Sequence, residues 1–310
     1  MNVIRGYKTE LDPNNAQRTL LLKHAGCARF AYNWGLTRKI ATYKAGEKVP
    51  SAIDLHKELN ALKPTQFPWM YEVSKCAPQE ALRDVDTAYK HFFHTAKLKV
   101  QGKYKGKLGF PRFKKSSKAI GSFRLTGSIK VFSDAVQLPR LGRLRLHEHD
   151  YIPRDAKILN ATVSEQAGRW FVSIQVQEKQ EKPVMTATTA IGVDLGIKTL
   201  ATCSDGTTFE NPRALKHAQK KLRRLERVKS RRKKNSKNRA KTRQALAKVH
   251  ARSAHIRKDA AHKLTSSLVK NHGLIAIEDL HVAGMLKNHC LAQAVADSNF
   301  GEIRRQLEYK

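Results

Sequence analysis

The sequence predicts an α+β chain of more than one domain: a small β-barrel with a helical lobe inserted into it, followed by an α/β domain interrupted by a basic helical hairpin. Three observations predict this. Apolar residues recur at helical spacing through residues 12–118 and then at period two through residues 119–181. Beyond residue 190, two apolar runs, Ile191-Gly192-Val193 and Gly273-Leu274-Ile275-Ala276-Ile277, each lead into a carboxylate, Asp194 and Glu278. Between those runs, Arg213 to Lys258 carries 20 Lys or Arg and one acid, Glu226.

The first element is a loosely alternating strand up to Leu11, with Val3, Ile4 and Tyr7 among polar residues. Asp12-Pro13-Asn14-Asn15 then reads as a helix start. Leu20, Leu21, Ala25, Ala28, Phe30, Ala31 and Leu36 carry that helix to about Tyr43, where Gly46 and Pro50 end it. Ser51 caps a short helix through Leu62, closed by Pro64 and Pro68. Ser74 is the expected cap of a third helix, from Lys75 to about Lys99, with Leu82, Val85, Tyr89, Phe92 and Phe93 on one face. Lys97 to Lys118 reads as a basic loop. In it Arg112, Lys114 and Lys115 alternate with Phe110 and Phe113, a pattern suited to tracking a phosphate backbone while bases stack.

Period-two stretches follow at Ser122–Leu125, Ile129–Phe132, Ala135–Leu138, Leu144–Leu146, Ile158–Ser164 and Trp170–Gln177. Short strands with regular turns suggest a small barrel, and the N-terminal strand is expected to join it, so that the barrel comprises residues 1–11 and 119–181. Glu181 to Thr189 is a polar linker. In the basic segment, Leu215, Leu222, Leu225 and Val228 mark one helix, and Leu246, Val249, Ile256, Leu264 and Leu268 mark another. The turn lies over Ser230–Asn238, giving a hairpin over residues 213–270. Like charges this dense repel one another, so Arg223, Arg224, Arg231, Arg232, Lys233 and Lys234 are candidate phosphate contacts. If about eight phosphates are neutralised, log K against log salt has a slope of roughly −7. A last helix is expected after Asn288, with Ser298 capping Phe300, Ile303 and Leu307 and with Asp297 and Glu302 as solvated acids.

Asp194 ends the apolar part of a strand, Gly196 permits a tight turn, Lys198–Thr202 returns, and Asp205-Gly206 turns again. A second apolar strand delivers Glu278. In an RNase H-like fold the first and fourth strands are neighbours, so two such acids meet and hold divalent metal for phosphodiester hydrolysis. Magnesium suits an oxygen-rich site of that kind. Asp279, one residue on, points to the opposite face.

Gly192–Lys198 (G-V-D-L-G-I-K) and Ile277–Leu280 (I-E-D-L) resemble the first two RuvC motifs of the TnpB family, transposon-encoded RNA-guided DNA nucleases once named OrfB transposases and related to type V CRISPR effectors. Leu11–Gln17, Ala28–Trp34, Gly109–Lys114 and Leu138–Gly142 add to the resemblance, which runs from the first residues to Lys310. It implies a wedge-type barrel, a recognition lobe over residues 12–118 and a RuvC-like domain over residues 190–310. It implies Asp194 and Glu278 as catalytic metal ligands, Mg2+ or Mn2+ as cofactor, an omega-type guide RNA and target DNA as partners, and one chain per RNA. Lys75 and Gln79, and more loosely the Ser122–Thr126 strand, match the positions that contact the flanking motif, with Cys76 where an aromatic is often found. The family's third metal carboxylate and its four-cysteine zinc ribbon lie downstream of Lys310. The expectation is therefore that these 310 residues bind guide and target but cut poorly, with zinc only where that ribbon exists.

Lys and Arg total 60 against 26 acids, a formal net charge of +34, which points to a polyanionic partner and away from small-metabolite chemistry. No run approaches 18 apolar residues and no N-terminal apolar stretch appears, so neither a membrane span nor a signal peptide is expected. Cys27, Cys76, Cys203 and Cys290 are far apart, which predicts reduced thiols in a cytoplasmic protein, and no H-x-x-x-H spacing lies beside them, so no zinc site is expected in this chain; the resemblance implies a prokaryotic, nucleoid-associated protein. Three functions are weighed. An RNA-guided endonuclease explains both the charge and the paired acids. A nuclease-inactive RNA-guided repressor explains the charge but needs neither acid. A ribosome-associated RNA-binding protein leaves the paired acids without a role.

Overall fold

The computed structural model describes residues 2–116, 120–179 and 189–310. The chain divides into two compact units, Met1–Glu181 and Lys182–Lys310. Both mix helices with sheet, and antiparallel pairing dominates. The residue 118/119 boundary and most of the Glu181–Thr189 linker fall outside the described residues.

The first unit opens with β1 (Asn2–Asp12) and α1 (Asn15–Lys44). Asn14 closes a capping box: its side chain accepts from the Gln17 amide at 2.9 Å while the Gln17 side chain accepts from the Asn14 amide. Ser51 and Asp54 repeat the device at α2 (Ala52–Leu62). A 3-10 turn at Pro68–Glu72 leads into α3 (Cys76–Val100). Lys75 is already helical in backbone angle, and the Ser74 hydroxyl accepts from the Cys76 amide at 3.4 Å, in keeping with a helix that starts at Lys75 behind Ser74. One expectation is corrected here. The basic loop starts at Gln101 rather than Lys97, because residues 97–100 complete the last turn of α3.

α1 packs on α3 through Leu21, Ala25, Ala28 and Leu36 against Ala77, Ala81, Leu82 and Val85, all buried in one core. Each such leucine contributes about 1.5–3 kcal/mol by burial. Gly35 allows the approach, since a Cβ there would lie 2.6 Å from Leu82 Cδ2.

The remaining strands are β2 (Ser122–Leu125), β3 (Lys130–Val131), β4 (Ala135–Leu138), β5 (Gly142–Leu146), β6 (Lys157–Gln166) and β7 (Arg169–Lys179). With β1 they form one seven-stranded antiparallel sheet, ordered β2-β6-β7-β1-β5-β4-β3. The N-terminal strand sits near its middle, pairing with β7 from Asn2 to Leu11 and with β5 at Leu11 and Asp12. Among the described residues the edge strands β2 and β3 do not pair with each other, so the ladder is not closed by hydrogen bonds.

In the second unit, β8 (Ala190–Leu195), β9 (Thr199–Cys203) and β10 (Thr208–Glu210) form an antiparallel meander. Gly196 is required in the first turn: a Cβ there would meet the Thr199 carbonyl oxygen at 2.7 Å. Then come α4 (Ala214–Arg231) and α5 (Lys237–Asn271), packed on each other as a hairpin, and β11 (Leu274–Ile277). β11 returns beside β8 and parallel to it, giving the order β10-β9-β8-β11. The core is built from Ile191, Val193 and Leu195 of the sheet, Ala261, Leu264 and Leu268 of α5, and Val295, Phe300 and Ile303 further on.

The C-terminal part departs from the sequence expectation. A short helix α6 (Val282–Met285) is followed by α7 (Ala292–Ser298) and α8 (Phe300–Tyr309), broken at Asn299 in the left-handed conformation, φ 60°. Ser298 therefore ends α7, with its hydroxyl on the Ala294 carbonyl, and does not cap the last helix.

Candidate metal centre and nucleic-acid interface

Strand alternation aims the acids. On β8, Ile191, Val193 and Leu195 are buried, so Gly192 and Asp194 lie on the other face. β11 runs parallel with Ala276 opposite Gly192 and Ile277 opposite Val193. The next pair in that register is Asp194 and Glu278. Both are exposed; Asp194 is on β8 and Glu278 directly follows β11, and neighbouring strands in such ladders lie about 4.8 Å apart. Asp279 turns the other way and pairs with Arg304 of α8. Across β8 on the other side, Asp194 faces Thr202. Among the described residues, no group of three or more His, Cys, Asp or Glu side chains is arranged to hold a metal ion. The residues present fit a divalent ion as a carboxylate pair on an open sheet face.

Two further acids are corrected. Asp297 is buried rather than solvated: its carboxylate accepts from the amides of Leu215 and Lys216 at 2.9–3.1 Å, capping α4 from a distant helix, with Arg257 at 3.8 Å. Glu302 is half-buried. The Arg305 guanidinium and the Gln306 amide hold it, and the Arg305 bond draws its pKa down to about 2.

The hairpin is basic on its outside and apolar along one seam, where Leu222, Leu246 and Ala251 are buried. Arg223, Arg224, Arg231, Lys233 and Lys234 are exposed. Arg232 is not part of that surface. Its guanidinium turns back onto the Asn238 carbonyl and the Thr242 hydroxyl and fastens the turn. Arg239 does the same from the other side, donating to the Lys229 and Arg232 carbonyls.

In the loop after α3, Arg112 and Lys115 are exposed. Lys114 is exposed too, but its ammonium is held against the helices, 4.1 Å from the Tyr32 ring centroid and 3.9 Å from Asp84, and burial of that end lowers its pKa. Its amide and carbonyl are clasped by the Asn33 side chain at 2.8 and 2.9 Å. Phe110 packs edge-to-face on Tyr89 and Phe92, so it anchors the loop, although it is as exposed as Phe113, 46% against 47%. Phe110, Arg112, Phe113, Lys114 and Lys115 line a cavity of ≈ 940 Å³ together with Arg29 and Ile40.

Lys75 and Gln79 sit one turn apart on α3 and line a second cleft, of ≈ 700 Å³, with Thr126, Gly127 and Ser128 beyond β2. Cys76 joins the two walls: its sulfur lies 3.4 Å from both the carbonyl and the hydroxyl oxygens of Thr126. The same cleft contains Lys63 and Arg140, which sequence reasoning did not single out. For Arg140 a signal existed, since Leu138-Pro139-Arg140-Leu141-Gly142 reads as a turn. The position of Lys63 at a helix end carried none. No helix among the described residues is long and apolar enough to cross a membrane. Cys27, Cys76, Cys203 and Cys290 are all free thiols.

Residues 161–289 match a family described as "Probable transposase", and residues 1–48 match one described as "Helix-turn-helix domain". The described part of that second region forms β1 and the single long helix α1. The Escherichia coli (strain K12) protein named "Putative RNA-guided DNA endonuclease InsQ" is 32% identical, covering 100% of this chain and 78% of that protein. A Streptomyces pristinaespiralis protein named "Putative RNA-guided DNA endonuclease" is 34% identical, covering 99% of this chain and 75% of its own length. Among solved structures, the Cas12f1 chain of a Cas12f1–sgRNA–target DNA complex has a TM-score of 0.51 at 10% identity, covering 99% of this chain and 87% of that one, a likeness of fold alone. Identity at the level of the two bacterial relatives, over essentially the whole chain, makes this protein a member of the TnpB family, the family its two strand motifs resemble.

Proposed function

We propose that this protein is an RNA-guided DNA endonuclease of an insertion sequence, which binds an omega-type guide RNA and cuts target DNA beside a short flanking motif by metal-dependent phosphodiester hydrolysis. The observation that carries the reading is the parallel register of β8 and β11, in which Asp194 and Glu278 are the next pair on the open face. The strand order β10-β9-β8-β11, with an antiparallel meander and a fourth strand parallel to the first, supports an RNase H-like, RuvC-type domain over residues 190–310. The central place of β1 in the seven-stranded sheet supports a wedge-type barrel from residues 1–11 and 119–181, interrupted by a helical recognition lobe over residues 12–118.

Asp194 and Glu278 would hold Mg2+ or Mn2+. Such an ion, when bound, polarises the phosphodiester and lowers the pKa of a coordinated water. The chain's own part is to present two carboxylates on rigid neighbouring strands and to hold the substrate by phosphate contacts from Arg223, Arg224, Arg231, Lys233, Lys234, Arg112 and Lys115. In this reading base pairing selects the target, while Lys75 and Gln79 read the flank.

The test is to purify the chain with its co-expressed RNA, replace the guide segment of that RNA, and follow target binding and cutting in magnesium. The reading predicts that binding follows the new guide, and that Asp194→Ala and Glu278→Ala bind as before while cutting at least about 100-fold less. Guide-directed binding with no magnesium-dependent cutting by the parent chain would select the nuclease-inactive, repressor-like reading instead. Binding that ignores the guide would refute both.

A further inference from the structure

The cleft that holds Lys75 and Gln79 contains two further cations, Lys63 and Arg140, that pair with no carboxylate among the described residues. Lys63 ends α2 and is buried, 7% exposed. Its ammonium donates to Asn60 Oδ1 at 2.6 Å, and among the described residues no carboxylate pairs with it. Burial lowers its pKa. A desolvated ammonium without a counter-charge is a costly group unless an anion arrives to pair with it. Burial first, and then the fields of Lys63, Arg83 and Lys75, lower the pKa of the neighbouring His56.

Arg140 comes from the opposite, sheet-side wall. The Leu141 amide donates to the Leu138 carbonyl at 3.1 Å, with Pro139 second in the turn and Arg140 third at φ 64°. That is the position of a type II turn where glycine or asparagine is preferred. A long side chain in the left-handed region is strained, and such strain persists where the side chain has work to do. Arg140 is exposed and lines the cleft with Thr126, Gly127 and Ser128.

We propose that Lys63 and Arg140 form a backbone-phosphate clamp for duplex DNA, gripping phosphodiesters from the helical and the sheet walls of the cleft while Lys75 and Gln79 face the base edges. The clamp rests on the reading of this cleft as the DNA-flank site. It adds a sequence-independent contact to that reading, so the two fail separately. Phosphate contacts fix register and orientation, whereas base contacts carry the sequence preference.

The experiment uses the full chain with its co-purified RNA. Affinity for short DNA duplexes with a randomised flank is measured across a salt series, and affinity for single-stranded RNA is measured in parallel. Lys63→Gln and Arg140→Gly should each weaken duplex binding several-fold for every flank alike, and each should make the salt slope shallower by about 1. Glycine suits the turn, so Arg140→Gly should keep or raise the thermal midpoint while losing affinity, which separates a lost contact from a damaged fold. Lys57→Gln removes the same charge from an exposed site that does not line the cleft and should leave the slope unchanged. Lys75→Ala and Gln79→Ala should instead alter which flank is preferred. If those two leave the preference unchanged while Lys63→Gln and Arg140→Gly still flatten the slope, the base-reading assignment fails and the clamp stands. The clamp is overturned if Lys63→Gln and Arg140→Gly bind duplex with unaltered slope, if Lys57→Gln flattens it equally, or if the loss falls on RNA rather than DNA.

Discussion

His24 is fully buried, and both ring nitrogens are engaged: Nδ1 donates to the Leu20 carbonyl at 2.8 Å and Nε2 accepts from the Ser74 amide at 3.0 Å. The ring thus fixes the chain just ahead of Lys75. Burial lowers its pKa, so the folded chain keeps it neutral while the unfolded chain takes up a proton near the ordinary value of about 6.5. The contribution is therefore complete above that value and is lost progressively as pH falls below it, toward the folded pKa. His56 and His262 are also lowered, by burial first, and act in the same direction. Denaturant midpoints should fall as pH drops from about 7.5 to about 5.5, and His24→Gln should make that dependence shallower. A profile of His24→Gln parallel to the parent's would contradict this assignment. Gly196→Ala forces a Cβ onto a backbone oxygen and should cost about 1–3 kcal/mol of stability in the same assay.

At the level of elements, the hairpin separates into residues that hold it and residues that offer charge. Arg232→Ala should lower the thermal midpoint, since it frees the turn from the Asn238 carbonyl and the Thr242 hydroxyl. Lys233→Ala and Lys234→Ala should leave the midpoint unchanged and make the salt slope of RNA binding shallower by about 1 each. Equal stability loss from all three would mean that the turn does not distinguish them. Asp297→Ala leaves the Leu215 and Lys216 amides without their acceptor and should cost about 1–2 kcal/mol. These elements show what a sequence discloses. The helical and period-two runs located α1, α2 and most strands closely, because amphipathic spacing and caps such as Asn14 and Ser51 are local properties. Asp297, Ser298 and Arg232 were misread because their partners lie in other elements or across a turn. The break at Asn299 was missed because a single left-handed residue leaves no periodic mark.

Across the whole molecule, a formal net charge of +34 accompanies a sheet in which Asp194 and Glu278 are the next pair in the register of β8 and β11. Two apolar strands ending in acids were legible in the sequence, and their parallel register is what the structure adds. Lys63 was not legible, since a lysine at a helix end looks solvated until the neighbouring helix is in place. The central claim is that Asp194 and Glu278 share one divalent ion, and Mn2+ affinity of the chain with its RNA and target DNA, measured for Asp194→Ala, Glu278→Ala and the double variant, tests it most directly. The account predicts that either single substitution weakens Mn2+ binding about as much as both together, because two ligands of one ion act as a unit. Additive losses, or unchanged binding in either single variant, would contradict it.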